Sequence, residues 1–279
     1  MLRQTKFDHP SIPQDLVARP RLTGTLDQGL SRPLTLICAP AGYGKTILAS
    51  SFLETCPLSS VWLSLDENDN DLRLFLDYLL AAIDSAFPDS LRSTKVILAG
   101  ATLPPVSIIA DSLINELDGL GRDFILVLDD YHLIRAQPVH ELLSLLLQHP
   151  PRGLHLVIAS RQDPSLPLGV LRARNQVAEI RGHDLRFSLA ETALFVERTL
   201  GARLADDALA VLADRTEGWA AGLRFATLTL RYGGDVDSHL AGLQAENRYV
   251  TDYLMSEVLS QVSPVMRRFL LTTSILDQV

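Results

Sequence analysis

A short apolar run, Leu34-Thr-Leu-Ile-Cys38, leads straight into Ala39-Pro-Ala-Gly42-Tyr-Gly44-Lys45-Thr46, and residues 46–53 then carry apolar side chains at helical spacing. No other stretch restricts the fold as much. A strand-length run, a glycine-containing loop and a helix start, in that order, form the setting that the loop pattern G-x-x-x-x-G-K-[ST] requires. Ala39 stands where that pattern has its first glycine. In such a loop the backbone N–H groups curl around phosphate oxygens at a helix N-terminus. Gly42 and Gly44 are free to take conformations that a side chain would obstruct. Lys45 is expected to reach the β- and γ-phosphates of a nucleotide. Thr46 is expected to give its hydroxyl to Mg²⁺, a small hard cation that prefers oxygen ligands. The expected nucleotide-binding set here is Gly42, Tyr43, Gly44, Lys45, Thr46 and Ile47.

Ser60-Val-Trp-Leu-Ser-Leu65 is a β-rich run, and Phe124-Ile-Leu-Val-Leu128 and Leu154-His-Leu-Val-Ile-Ala159 are continuous apolar ones. Such runs imply strands covered on both faces. Helical patterns lie between them, through Phe75, Leu79 and Ile83 and again over residues 108–120. Alternation of this kind predicts βαβ units and an α/β fold, a parallel sheet with helices on both faces whose ligands bind beyond the carboxyl ends of the strands. Residues 1–32 are polar and punctuated by Pro10, Pro13 and Pro20. The carboxylates Asp66, Glu67, Asp69 and Asp71 are expected as solvated charges at a helix start rather than as a metal site. Near Asp184 the composition shifts, and residues 189–230 read as helical, with Gly218 and Gly222 as interruptions. Gly233-Gly234 marks a turn, and residues 249–279 hold two more helical patterns broken at Ser263-Pro264. The expected domains are 1–185, binding nucleotide, 186–245, helical, and 246–279, with the chain ending inside the last.

Polar chemistry gathers at the ends of the runs. Asp129 closes a strand, as a Walker B carboxylate must to hold Mg²⁺ opposite Thr46. Asp130 beside it is placed either to orient or deprotonate an attacking water, or to cap the turn that begins Tyr131-His132. Arg161, just past another strand, either meets a γ-phosphate through a charge-assisted contact or forms a surface ion pair. His132 reads as structural and Trp62 as core. Cys38 and Cys56 lack the CxxC spacing of a metal or redox pair and read as buried thiols.

Composition excludes several roles. The 279 residues carry 25 Lys and Arg against 33 Asp and Glu, a net charge of −8, which opposes a uniformly basic nucleic-acid surface. The longest charge-free stretch, residues 96–110, contains Pro104 and Pro105, whereas a membrane-spanning helix needs roughly 20 apolar residues. The N-terminus, MLRQTKFDHP, has basic residues but no apolar core behind them, so no secretory signal, no membrane partner and a cytoplasmic location are expected.

The combination of Leu16-Val-Ala-Arg-Pro-Arg21-Leu, the glycine loop, Trp62-Leu-Ser-Leu-Asp-Glu-Asn-Asp69, Val127-Leu-Asp-Asp-Tyr-His132, Ile158-Ala-Ser-Arg161, Asp184-Leu-Arg-Phe187 and Glu217-Gly-Trp-Ala-Ala-Gly-Leu223 resembles the STAND class of signal-transduction ATPases. More narrowly, the chain is similar to the N-terminal part of the large ATP-binding LuxR-type, or MalT-like, transcriptional regulators. The resemblance implies a nucleotide-binding α/β domain, a small helical domain and a winged-helix domain, with ADP held in the resting state. It implies that ATP exchange, driven by an inducer bound further along the chain, opens the domains and permits self-association. DNA would be bound only through a helix-turn-helix domain outside this sequence, and the inducer is unknown.

Carried over, Asp129 and Asp130 form the extended Walker B, Arg161 is the first sensor, and Arg19 and Arg21 lie in the segment that flanks the adenine. Gly218-Trp219-Ala220 occupies the place of the family's Gly-x-Pro, which adds Trp219 to the nucleotide-binding residues; Ala220 departs from the proline that touches the base. The implied function is an ATP/ADP-responsive switch with slow hydrolysis. The alternatives are a metabolic P-loop enzyme, such as a small-molecule kinase, and a clamp that binds nucleotide without hydrolysing it. The helical region after the sheet and the lack of an evident lid or acceptor site favour the switch, a choice that fold alone could not decide.

Overall fold

The computed structural model of the chain describes residues 2–233 and 264–273. Its strands are β1 (Leu34–Cys38), β2 (Ser59–Ser64), β3 (Phe124–Asp129), β4 (Leu154–Ser160) and β5 (Val177–Arg181). All pair in parallel, in the order β2-β3-β4-β1-β5. Every residue of β1 and β3 is buried, as expected where helices cover both faces. Side chains alternate between the faces. Leu34, Leu36 and Cys38 join Phe75, Leu79, Leu113 and Leu142 in one large core, drawn from α3 (Leu72–Ala86), α5 (Val106–Asp118) and α6 (Gln137–Gln148). On the other face Thr35 lies against α1 (Pro20–Gly29), where a Cβ on Gly29 would come within 2.6 Å of Thr35 Oγ1. Only glycine allows α1 to sit so close.

The register places the site. Cys38 of β1 pairs with Ser160 of β4 on one side and Arg181 of β5 on the other, and Ser64 of β2 pairs with Asp129 of β3. The carboxyl ends of all five strands therefore lie along one edge of the sheet. α2 (Lys45–Thr55) follows the glycine loop, and α4 (Arg92–Ala99), α7 (Leu168–Ala173) and α8 (Gly182–Leu185) complete the helices of this region.

The chain divides into two units, one of Met1–Pro40 and Gly44–Leu185, the other of Ala41–Tyr43 and Arg186–Val279. In the second, α9 (Leu189–Leu200) opens on a reciprocal cap. Ser188 Oγ accepts from Glu191 N at 3.2 Å, and Glu191 Oε2 from Ser188 N at 2.9 Å. The helix ends at Gly201, whose φ of 71° is the left-handed stop that glycine permits. α10 (Asp206–Thr216) and α11 (Ala220–Gly233) follow, and Val196, Leu212, Leu223 and Ala226 form a small core. A last helix, α12, spans Pro264–Thr273. The rest of the expected third domain lies outside the described residues, as does Gly234 of the expected turn. No described helix is long and apolar enough to cross a membrane.

Several local expectations need correction. Pro20 does not merely punctuate residues 1–32: it opens α1, at a position where its missing N–H costs nothing. Gly222 lies inside α11 rather than interrupting it. Cys56 is only half-buried. Asp69 is not solvated: it is fully buried, accepting from Lys6 Nζ at 2.6 Å and from Asp66 N at 2.7 Å. Lys6 also lies 4.2 Å from the ring centroid of Tyr78. This pair fastens the N-terminal segment to the loop after β2.

Breaking a buried pair by removing one partner strands the other charge, at a cost of roughly 3–5 kcal/mol. Lys6→Met should therefore lower the urea-unfolding free energy of the chain by that order, and adding Asp69→Leu should recover much of the loss. An Asp69→Leu addition that deepens the loss would show that Asp69 contributes through Asp66 and not through Lys6.

Candidate nucleotide site

Gly44 begins α2 in a left-handed conformation, φ 81° and ψ 23°, and Gly42 has φ 76°. A Cβ on Gly44 would meet nothing within 4 Å, so glycine is needed there for its backbone freedom and not for space. Lys45 is buried at the first position of α2, and its ammonium donates to Pro40 O at 3.0 Å. Burial pushes the Lys45 pKa down and the positive charge of Arg161 adds to this, while Asp130 and Asp129 oppose it. Tyr43, Thr46 and Ile47 are half-buried.

Asp129, at the end of β3, is buried. Its Oδ1 accepts from Thr46 Oγ1 at 3.2 Å and from Asp130 N at 2.9 Å. Burial first, then the charge of Asp130, raises its pKa to about 6 against the pull of those two hydrogen bonds and of Lys45. Thr46 and Asp129 thus offer a hydroxyl and a carboxylate oxygen at one point, a donor pair that suits a hard divalent cation.

Asp130 occupies the position before the 3-10 turn Tyr131–Leu133 with φ 55° and ψ 34°, yet its side chain makes no capping hydrogen bond. A non-glycine residue in the left-handed region is uncommon and mildly strained, and functional sites collect such residues. Its carboxylate is 45% exposed, with Oδ1 3.9 Å from His132 Nδ1. The His132 ring itself is buried, in keeping with a structural role. Trp62 is buried in β2, where its Nε1 donates to Ser64 Oγ at 2.8 Å.

The structure brings Lys45, Thr46, Asp129, Asp130 and Arg161 to the carboxyl ends of β1, β3 and β4. Arg19 and Arg21 have a different placement. Their Nη1 atoms donate to the backbone carbonyls of Leu185, at 2.9 Å, and Asp184, in α8. Trp219 donates from Nε1 to Ala41 O at 3.1 Å. One charged group went unread in the sequence. Arg181, at the end of β5, binds Asp163 and Glu179, and Arg172 reaches Glu179 at 2.8 Å and Asp163 at 3.3 Å. Arg181 holds the Asp163 carboxyl below its usual pKa, and burial pushes the neighbouring Cys38 thiol up. The charged Glu179 within Val177-Ala-Glu-Ile-Arg181 broke the apolar pattern that would have revealed the strand.

No family model matches the chain. The sequence is 36% identical over 281 residues to the HTH-type transcriptional regulator MalT of Yersinia pestis (strain Pestoides F), covering 99% of this chain and 31% of that protein. It is 34% identical over 280 residues to MalT of Klebsiella pneumoniae (strain 342), with the same coverage. Over this span the chain is a relative of the MalT regulators. It spans about a third of their length, at 31%. Among solved structures, the Walker-type ATPase of Pyrococcus abyssi matches with a TM-score of 0.57 at 16% identity, covering 92% of this chain and 77% of that one. A Signal Transduction ATPase with Numerous Domains (STAND) protein with a tetratricopeptide repeat sensor, from Pyrococcus horikoshii, matches with a TM-score of 0.56 at 16% identity, covering 99% of this chain and 37% of that one. These likenesses show the fold, that of P-loop ATPases.

The raised Asp129 pKa has a consequence for stability. With a folded value of about 6 and an unfolded value of about 3.9, the folded chain holds more protons between those limits. Stability is then fully present below about pH 4 and is lost as pH rises through about 6. Asp129→Asn keeps an acceptor oxygen for Thr46 and Asp130 but removes this slope. In the absence of nucleotide it should be more stable than wild type at pH 7, by up to about 3 kcal/mol, with the gap closing at pH 4. Parallel pH profiles in urea unfolding would refute the shift.

Proposed function

We propose that this chain is the ATP/ADP-binding regulatory module of a signal-responsive, MalT-like transcriptional regulator, with slow ATP hydrolysis and nucleotide-dependent opening and self-association of the full-length protein. The observation that carries the reading is the meeting of Thr46 Oγ1 and Asp129 Oδ1 at 3.2 Å, beside buried Lys45, at the mouth of a glycine loop. The relatives named as transcriptional regulators support the regulatory part. In this reading the module works in the cytoplasm, answers an unidentified inducer bound elsewhere in the protein, and meets DNA only through another domain.

Each residue has a role that follows from its chemistry. The amides of the Gly42 to Thr46 loop bind phosphate oxygens, with Lys45 supplying the full positive charge that partial charges lack. Thr46 and Asp129 would hold Mg²⁺, which when bound neutralises phosphate charge. Asp130, more exposed than Asp129 and kept from capping by its backbone, accepts the proton of an attacking water. Arg161 distinguishes ATP from ADP through the γ-phosphate, its charge already felt at Lys45. Arg19 and Arg21 support the adenine side of the site through the segment they hold.

Lys45→Ala should weaken ADP and ATP binding about 100-fold, the upper range for loss of a charged hydrogen bond. Calorimetry that returns wild-type affinity for both nucleotides would defeat the reading. Asp130→Asn should still bind ATP with Mg²⁺ but hydrolyse it on the order of 100-fold more slowly, because an amide can hold a water without taking its proton. Unchanged single-turnover hydrolysis would remove Asp130 as the base.

A further inference from the structure

The crest of the glycine loop, Ala41–Tyr43, belongs to the second unit and is bonded there on its carbonyl side. Trp219 Nε1 donates to Ala41 O at 3.1 Å, and Ala221 N, in the first turn of α11, donates to Gly42 O at 2.9 Å. A first-turn amide has no acceptor within its own helix, so the Gly42 carbonyl also satisfies a donor that α11 would otherwise leave open.

Two glycines fix the indole. A Cβ on Gly222 would stand 2.6 Å from Trp219 Cε3, so any side chain there would displace the ring. Gly218, at φ 69°, has Phe187 O 2.5 Å and Phe187 N 2.7 Å from where its Cβ would be, and its carbonyl accepts from Phe187 N at 2.8 Å. Trp219 is thus placed by backbone contact on one side and by an empty Cβ position on the other.

The consequence for the loop follows from peptide planarity. The Ala41 carbonyl and the Gly42 N–H lie in one rigid plane, as do the Gly42 carbonyl and the Tyr43 N–H, each pair pointing in opposite directions. A donor that holds either carbonyl therefore aims the amide on the far side of its plane. Anion-binding loops work by turning successive N–H groups inward.

We propose that Trp219 is a positioning residue for phosphate binding, its indole N–H, together with the Ala221 amide, orienting the Gly42 and Tyr43 N–H groups toward the diphosphate of a nucleotide. It acts through the loop and not by touching the base. This assignment rests on the nucleotide-binding reading and names how one part of that site is held.

Trp219→Phe keeps a ring against Gly222 and removes only the N–H. In the full 279-residue chain it should speed hydrogen exchange at the Gly42 and Tyr43 amides without nucleotide. It should also weaken ADP and inorganic pyrophosphate equally, roughly 5–10-fold for one lost hydrogen bond. Gly222→Ala, which keeps the indole but moves it, should produce the same pattern. Weakened ADP with wild-type pyrophosphate affinity would put Trp219 on the base and overturn the proposal. So would unchanged amide exchange in both variants. A wild-type chain that binds neither ligand overturns the nucleotide reading and this assignment together; a wild-type chain that binds ADP no better than the variants do overturns the assignment alone.

Discussion

A carboxylate withdrawn from water at the end of a buried strand costs several kcal/mol unless it is answered by donors. Asp129 is answered by two, the Thr46 hydroxyl and the Asp130 amide. In the sheet order β4 lies between β3 and β1, so the bond from Thr46, just beyond β1, to Asp129 on β3 reaches across the end of the strand between them. The other site positions follow from that link. The β1 to β4 register carries Ala39 N to Ser160 O at 3.2 Å, and Leu65 N bonds Asp129 O at 3.0 Å, so loops from four strands are tied to one another within a few residues of this acid.

The charges around Asp129 are mixed in sign, and two of the groups, Lys45 and Asp129, are perturbed by them. Burial and then the charge of Arg161 lower the Lys45 pKa, and burial and then the charge of Asp130 raise that of Asp129. Lys45 and Asp129 are both held partly away from their ordinary protonation, and a polyphosphate with a divalent cation would offer relief of both signs at once. The β5 side of the site is organised differently. There Arg181, Arg172, Asp163 and Glu179 neutralise one another and leave little charge for a ligand to answer.

What the sequence disclosed depended on how local the signal was. β1, β3 and β4 were legible because each run is apolar and buried, β2 by its β-rich Val61-Trp62-Leu63 centre, and the glycine loop because Ala39 to Thr46 lies in one short stretch of chain. Asp129 and Asp130 were legible as the polar end of such a run. β5 was not, because Glu179 is made tolerable by Arg172 and Arg181, partners that the strand's own pattern does not reveal. Asp69 was misread for the same reason: its partner Lys6 is 63 positions away. Trp219 was placed in the site by resemblance, but its acceptor lies 178 positions off, on a loop carbonyl, and only the folded chain brings the two together. Pro20 was read as punctuation, although proline at a helix start is as much a beginning as an end.

The contacts of Arg19 and Arg21 were likewise hidden by distance along the chain, lying 166 and 163 positions away. Arg19 precedes α1 and Arg21 lies in its first turn, and both spend their guanidinium donors on α8, the last four residues before the second unit begins at Arg186. α1 in turn lies against β1 through Gly29, the strand from which the glycine loop departs. α1 therefore joins α8 on one side to β1 on the other, at a position where only glycine fits. Arg19 and Arg21 thus connect the backbone carbonyls of Asp184 and Leu185 to the helix that packs on β1.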